Sequence, residues 1–97
     1  MAELIQQGNQ WRVSGDVLMA NAQALLDQST ALSLEIDTEI DFSAVTDVDT
    51  VALSLMLEWQ RRAAKNNCNV TYSHLPANLI SLADLYGVTD FIVQTQH

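Results

Sequence analysis

The chain has 97 residues, 48% of them hydrophobic, with twelve acidic and four basic side chains and a net charge of −8. That length fits one domain over residues 1–97 with one core, and the apolar share excludes an intrinsically disordered chain. The acidic balance excludes nucleic acid and anionic lipid as primary ligands, because both require basic surface.

The N-terminal "MAELIQQGNQW" has neither a basic leader nor an apolar run, so no signal peptide is expected. Residues 3–16, "ELIQQGNQWRVSGD", read as a β-hairpin: Gly8-Asn9 suits a two-residue turn, and Leu4, Trp11 and Val13 stand at strand period. "ANAQALLDQSTALS" reads as a helix whose Ala22, Leu25, Leu26, Ser29 and Leu32 trace one face. In "TEIDFS", Ile40 and Phe42 alternate with polar residues, which predicts a strand followed by a short acidic loop.

Residues 50–66 predict the longest helix, about 24 Å at 1.5 Å per residue. "NVTYSH" is a further strand, with Val70 and Tyr72 on one side. "LPANLISLADLYGV" predicts a helix, with Pro76 near its first turn and Gly87 as its stop. Asp90 to Val93 read as a short helical or extended tail. The order ββαβαβα implies an α/β domain, a mixed sheet with helices on one or both faces. No stretch approaches the ~20 apolar residues of a membrane span, so direct membrane insertion is not expected.

The entrance to the long helix concentrates the candidate chemistry. Asp49 or Thr50 can cap the unpaired N–H groups there, and Asp47 adds favourable charge near the positive helix end. A plain capping role therefore fits the residues, and so does a functional hydroxyl. Along the helix Ala52, Leu55, Met56, Trp59 and Ala63 form a core stripe, while Val51, Leu53 and Leu57 are apolar and lie off it. Such a helix is covered on more than one side, either within its own domain or by a docked partner. Farther along, Glu58 can pair with Arg61 or Arg62, and Arg61, Arg62 and Lys65 suit the negative helix end.

The hairpin ending in "VSGD", the helix after it, and the strand and corner "IDFSAVTDVDT" entering an apolar helix together resemble the STAS domain family over essentially the whole chain. The resemblance implies a mixed β-sheet with helices mainly on one face. It also implies a protein-binding module without catalytic activity, in which an acid and a following hydroxyl match Asp49 and Thr50. "LEWQRRAA" at 57–64 and "LPANLISLADLYGV" at 75–88 are most similar to the subgroup that serves as cytoplasmic accessory subunit of an ABC transporter maintaining outer-membrane lipid asymmetry. That subgroup implies the transporter's ATPase subunit as partner, an interface at Asp47, Asp49, Thr50, Val51, Leu53, Ser54 and Leu57, and a location peripheral to the inner membrane. The alternative within the family is an anti-sigma-factor antagonist, switched by an anti-sigma kinase that phosphorylates Thr50. Family members often carry a small residue after the hydroxyl; Val51 and Ala52 stand here instead.

Other candidates carry less. Asp47 and Asp49 lack the Lys or Gly-rich loop of a Mg²⁺-phosphate site. His74 and His97 belong to no ligand cluster, so neither metal nor cofactor is expected. Cys68, the single cysteine, has no CxxC or His partner nearby and reads as structural in a reducing compartment. Tyr86 reads as packing over a helix end, with a place in a partner interface as the other option. No nucleophile–base pair or carboxylate dyad supports an enzyme.

Overall fold

Gly8 adopts a φ of 60°, a left-handed conformation that costs glycine little. It lets β1 (Glu3–Gln7) turn back on β2 (Gln10–Val17) as an antiparallel pair with Gln7 opposite Gln10. In this computed structural model, which describes residues 2–89 and 92, five further elements follow. They are α1 (Met19–Thr30), β3 (Thr38–Val48), α2 (Val51–Lys65), β4 (Val70–Ser73) and α3 (Ala77–Leu85). The expected order ββαβαβα is the observed one. The tail expected over Asp90 to Val93 lies outside the described residues apart from Ile92, which is buried, and His97 lies outside them too.

The sheet order is β1-β2-β3-β4, with β2–β3 and β3–β4 parallel. It is therefore mixed, and each parallel pair is joined through a helix, as parallel strands require. Strand register sorts the side chains. Trp11, Ile40 and Tyr72 stand side by side across three strands and are fully buried. Trp11 meets Trp59 of α2 edge to face, with ring centroids 5.8 Å apart. Tyr72 meets Phe42 at 6.1 Å and donates its hydroxyl to the Met56 carbonyl at 2.8 Å. Burial pushes the Tyr72 phenol pKa up.

The core stripe Ala52, Leu55, Met56, Trp59 and Ala63 is buried as its spacing predicts, and Leu25 and Ser29 of α1 are buried with it. Arg62 leaves the end of its own helix to others. It donates to the Ser29 and Leu32 carbonyls, at 2.9 and 3.0 Å, and its guanidinium lies 6.0 Å from the Trp11 ring centre. Among the described residues Arg61 takes Glu58, at 2.6 Å.

One residue along each strand, the side chains reverse. Arg12, Asp41 and Ser73 pair in register on the other side of the sheet. Asp41 is buried, and it accepts hydrogen bonds from the Ser43 N–H and the Ser43 hydroxyl, each at 2.9 Å. His74, in a left-handed backbone conformation, brings Nδ1 to 3.1 Å from Oδ1, and Arg12 Nε lies 3.6 Å from Oδ2. Burial works against the charged form of Asp41, but the bonds from Ser43 and His74 outweigh it and hold its carboxyl below the usual range.

One expectation is corrected. The acidic loop after Phe42 is largely strand: β3 runs on to Val48, pairing with β2 through two register shifts that keep Val48 beside Val17. Bulges of this kind let polar residues such as Thr46 and Asp47 sit in a strand without entering the core. Leu53, off the stripe, lies inside the core set, the cover within its own domain that an apolar helix allows, because α3 packs against α2 on that side. Cys68 is buried with Sγ 3.2 Å from the Leu34 carbonyl. Burial, then the charges of Asp37 and Glu35, push its thiol pKa up.

Candidate functional site

The β3–α2 corner is held by Asp49. Its N–H donates to the Val17 carbonyl at 3.2 Å, which ties the end of β3 to the end of β2. Its carboxylate accepts from the Val51 N–H at 2.9 Å and from the Met19 N–H at 3.0 Å. One side chain thus satisfies the first turns of α2 and α1 together, where several N–H groups lack helical partners. The capping role considered for Asp49 or Thr50 falls to Asp49. Asp47 is exposed and accepts only from the neighbouring Val48 N–H, at 2.9 Å, among the described residues.

Thr50 takes helical backbone angles with its side chain exposed, and it provides no side-chain cap. Its hydroxyl makes no hydrogen bond among the described residues. Beside it a groove of about 350 Å³ opens between α2 and the end of α3. Thr50, Val51, Leu53, Ser54 and Leu57 line one wall; Met19, Tyr86 and Val88 complete it. Leu53 is the buried floor, Val51 and Leu57 are half-buried, and Ser54 is exposed. Met19 and Tyr86 are 74% and 59% exposed, unusually high for large apolar side chains at one spot.

The structure therefore brings Thr50, Val51, Leu53, Ser54 and Leu57 together in one groove and leaves Asp47 and Asp49 on the strand side of it. Met19 was not foreseen, and Tyr86 was not linked to Thr50. Their signal is only that each is apolar and stands at a helix end, Met19 opening α1 and Tyr86 closing α3. Gly87, with a φ of 68°, stops α3 there: the Val88 N–H returns to the Ala83 carbonyl at 3.0 Å, so the chain turns back beside α2.

The geometry suits recognition of a surface, since a hydroxyl, an apolar floor and an exposed aromatic rim converge. Among the described residues no group of three or more His, Cys, Asp or Glu side chains converges to hold a metal ion. No helix among them is long and apolar enough to cross a membrane.

Among curated proteins none matches the chain. The family described as Mlab, STAS domain, matches residues 5–94. That span contains most of the hairpin, the parallel strands, the Asp49-Thr50 corner and the groove, and the chain belongs to the STAS domain family.

Proposed function

We propose that this STAS domain is a non-catalytic accessory subunit that docks onto the ATPase subunit of an ABC-type phospholipid transporter. In that role it sits at the cytoplasmic side of the inner membrane, peripheral to it, and supports outer-membrane lipid asymmetry. The observation that carries the reading is the Thr50 hydroxyl, exposed and unbonded among the described residues, at the mouth of the apolar groove. The match to a family described by the name Mlab supports the choice of partner.

The energetics assign different tasks to the two parts of the site. Burying a Leu or Met side chain contributes about 1.5–3 kcal/mol, whereas a net hydrogen bond contributes about 0.5–1.5 kcal/mol. Leu57, Met19 and Tyr86 would supply most of the affinity, and Thr50 would fix register. Charge at Thr50 would oppose docking, because a partner surface over Val51 and Leu57 would have to desolvate it.

The second reading, an antagonist switched by an anti-sigma kinase, is favoured by one feature: a kinase can reach an exposed hydroxyl. Purification from the native host separates the two. An ATPase with its permease supports the transport reading; a small kinase in its place overturns it. With the ATPase subunit in hand, Thr50→Glu is expected to weaken binding about tenfold or more relative to Thr50→Ser. Equal affinities would remove Thr50 from the interface.

A further inference from the structure

The groove beside Thr50 has a counterpart on the other flank of α2. A second hollow, of about 270 Å³, lies between α1 and α2 and is lined by Ala22, Gln23, Leu26, Leu55 and Glu58, together with Val51 and Ser54. Val51 and Ser54 line both hollows. They are one helical step apart at i and i+3, so they form a low crest with an apolar depression on each side. Thr50, Leu53 and Leu57 descend one flank, and Leu55 descends the other.

Acidic charge predominates around this saddle, although the exposed Arg61 sits on Glu58 at the α1–α2 hollow. No Lys or Arg lines either hollow. Asp49 bonds the N–H groups of Met19 and Val51, both lining residues, and exposed Asp47 stands just before it. On the opposite rim Gln23 donates to Asp27 at 2.9 Å. Glu58 is occupied by Arg61 and Asp49 by two backbone N–H groups, so the exposed acids nearby that meet no cation among the described residues are Asp27 and Asp47. Arg62 is turned to the α1 carbonyls, and Arg12 lies on the sheet face opposite the core.

We propose that the partner straddles α2, seating apolar side chains in both hollows at once and setting Lys or Arg side chains against the acidic rim. This rests on the docking reading above and deepens it. The site becomes a saddle with Ser54 at its summit, and the complementary surface is a pair of apolar projections flanked by cations. Complementary charge of this kind acts chiefly on the association rate and on partner choice.

The test uses the purified full chain and the ATPase subunit of the host's ABC lipid transporter, with affinity and association rate measured at several salt concentrations. Ala22→Gln fills the α1–α2 hollow with a neutral side chain that helices accept; it is expected to weaken binding about tenfold or more. Ala24→Gln, on α1 but facing the β1 side, should change affinity less than about twofold. Leu57→Asp should abolish binding from the other flank. If Ala22→Gln fails to fold by circular dichroism, the exposed Gln23→Lys takes its place, setting a cation where the partner's own cations must approach. Association should slow as salt rises.

Loss of binding in Leu57→Asp with none in the α1-side variants overturns the saddle and leaves the docking reading standing. An association rate indifferent to salt overturns the cationic partner. Absence of binding by the unaltered chain overturns both the saddle and the choice of the ATPase as partner.

Discussion

Two acid–hydroxyl pairs lie within a dozen residues of each other. Asp41 and Ser43 stand mid-strand, and Asp49 and Thr50 stand at the corner. On paper they look alike. In the fold the first is closed on itself: Ser43 gives both its N–H and its hydroxyl to Asp41, and His74 and Arg12 converge on the same carboxylate. The second is split. Asp49 is consumed by two backbone N–H groups, and Thr50 is exposed with no hydrogen-bond partner among the described residues. The contrast teaches that an acid beside a hydroxyl marks no site by itself. What matters is whether the fold spends the hydroxyl or leaves it available.

The largest effect that can break this comparison is at Asp41. Asp41→Ala removes the buried acceptor of both Ser43 bonds, and with it the carboxylate that His74 Nδ1 approaches at 3.1 Å and Arg12 Nε at 3.6 Å. A loss of about 3 kcal/mol in urea denaturation is expected, with partner affinity unchanged where the variant is folded. The folded pKa of Asp41 lies below its ordinary 3.8. Its contribution is therefore fully present above that value and disappears as pH falls through the lower folded value. The stability gap between the native chain and Asp41→Ala should narrow as pH drops below about 4. A gap that stays constant well below that region would show that the carboxylate's charge is not what the cluster requires.

Next in size is Asp49. Asp49→Ala strands the Val51 and Met19 N–H groups, which costs about 1–2 kcal/mol by analogy with lost helix caps. Because the same carboxylate joins α1 to α2, the variant should also loosen the corner, seen as faster amide exchange at Met19 and Val51 together. Exchange confined to Val51 would mean that Asp49 serves α2 alone.

Much of the fold can be read from local pattern. Gly8 marks the hairpin, the stripe from Ala52 to Ala63 marks the buried face of α2, and Pro76 and Gly87 bracket α3. The features that cannot be read are those made by register and layer contact. Nothing near Asp41 in sequence announces Arg12 or His74, which reach it across two strand pairs. Arg62 reads as a helix-end cation, and only the packing of α1 on α2 gives it the Ser29 and Leu32 carbonyls. At the corner, Leu57 can be found from spacing, and Thr50 from its place after Asp49 where a strand meets a helix. Met19 and Tyr86 cannot, because their nearness to Thr50 depends on where α1 starts and α3 stops. The β3 extension is masked by its own composition, since Thr46 and Asp47 look like loop residues until the bulged pairing with β2 turns them outward.

The smallest expected change in stability is at Thr50, and it sharpens the comparison most. Thr50→Val keeps the branched shape and deletes only the hydroxyl. Ser43→Ala, its counterpart in the closed pair, removes one hydrogen bond to a buried carboxylate and should cost about 1.5 kcal/mol or more. Thr50→Val removes no bond that the chain makes to itself among the described residues. It should leave the urea midpoint within about 0.5 kcal/mol of the native value. Binding should reverse the ranking. Thr50→Val lowers partner affinity severalfold, while Ser43→Ala leaves it alone, because only one of the two hydroxyls is free to serve another molecule. A destabilisation at Thr50 equal to that at Ser43 would mean that the corner hydroxyl is used internally, and the two pairs would then differ in nothing but address.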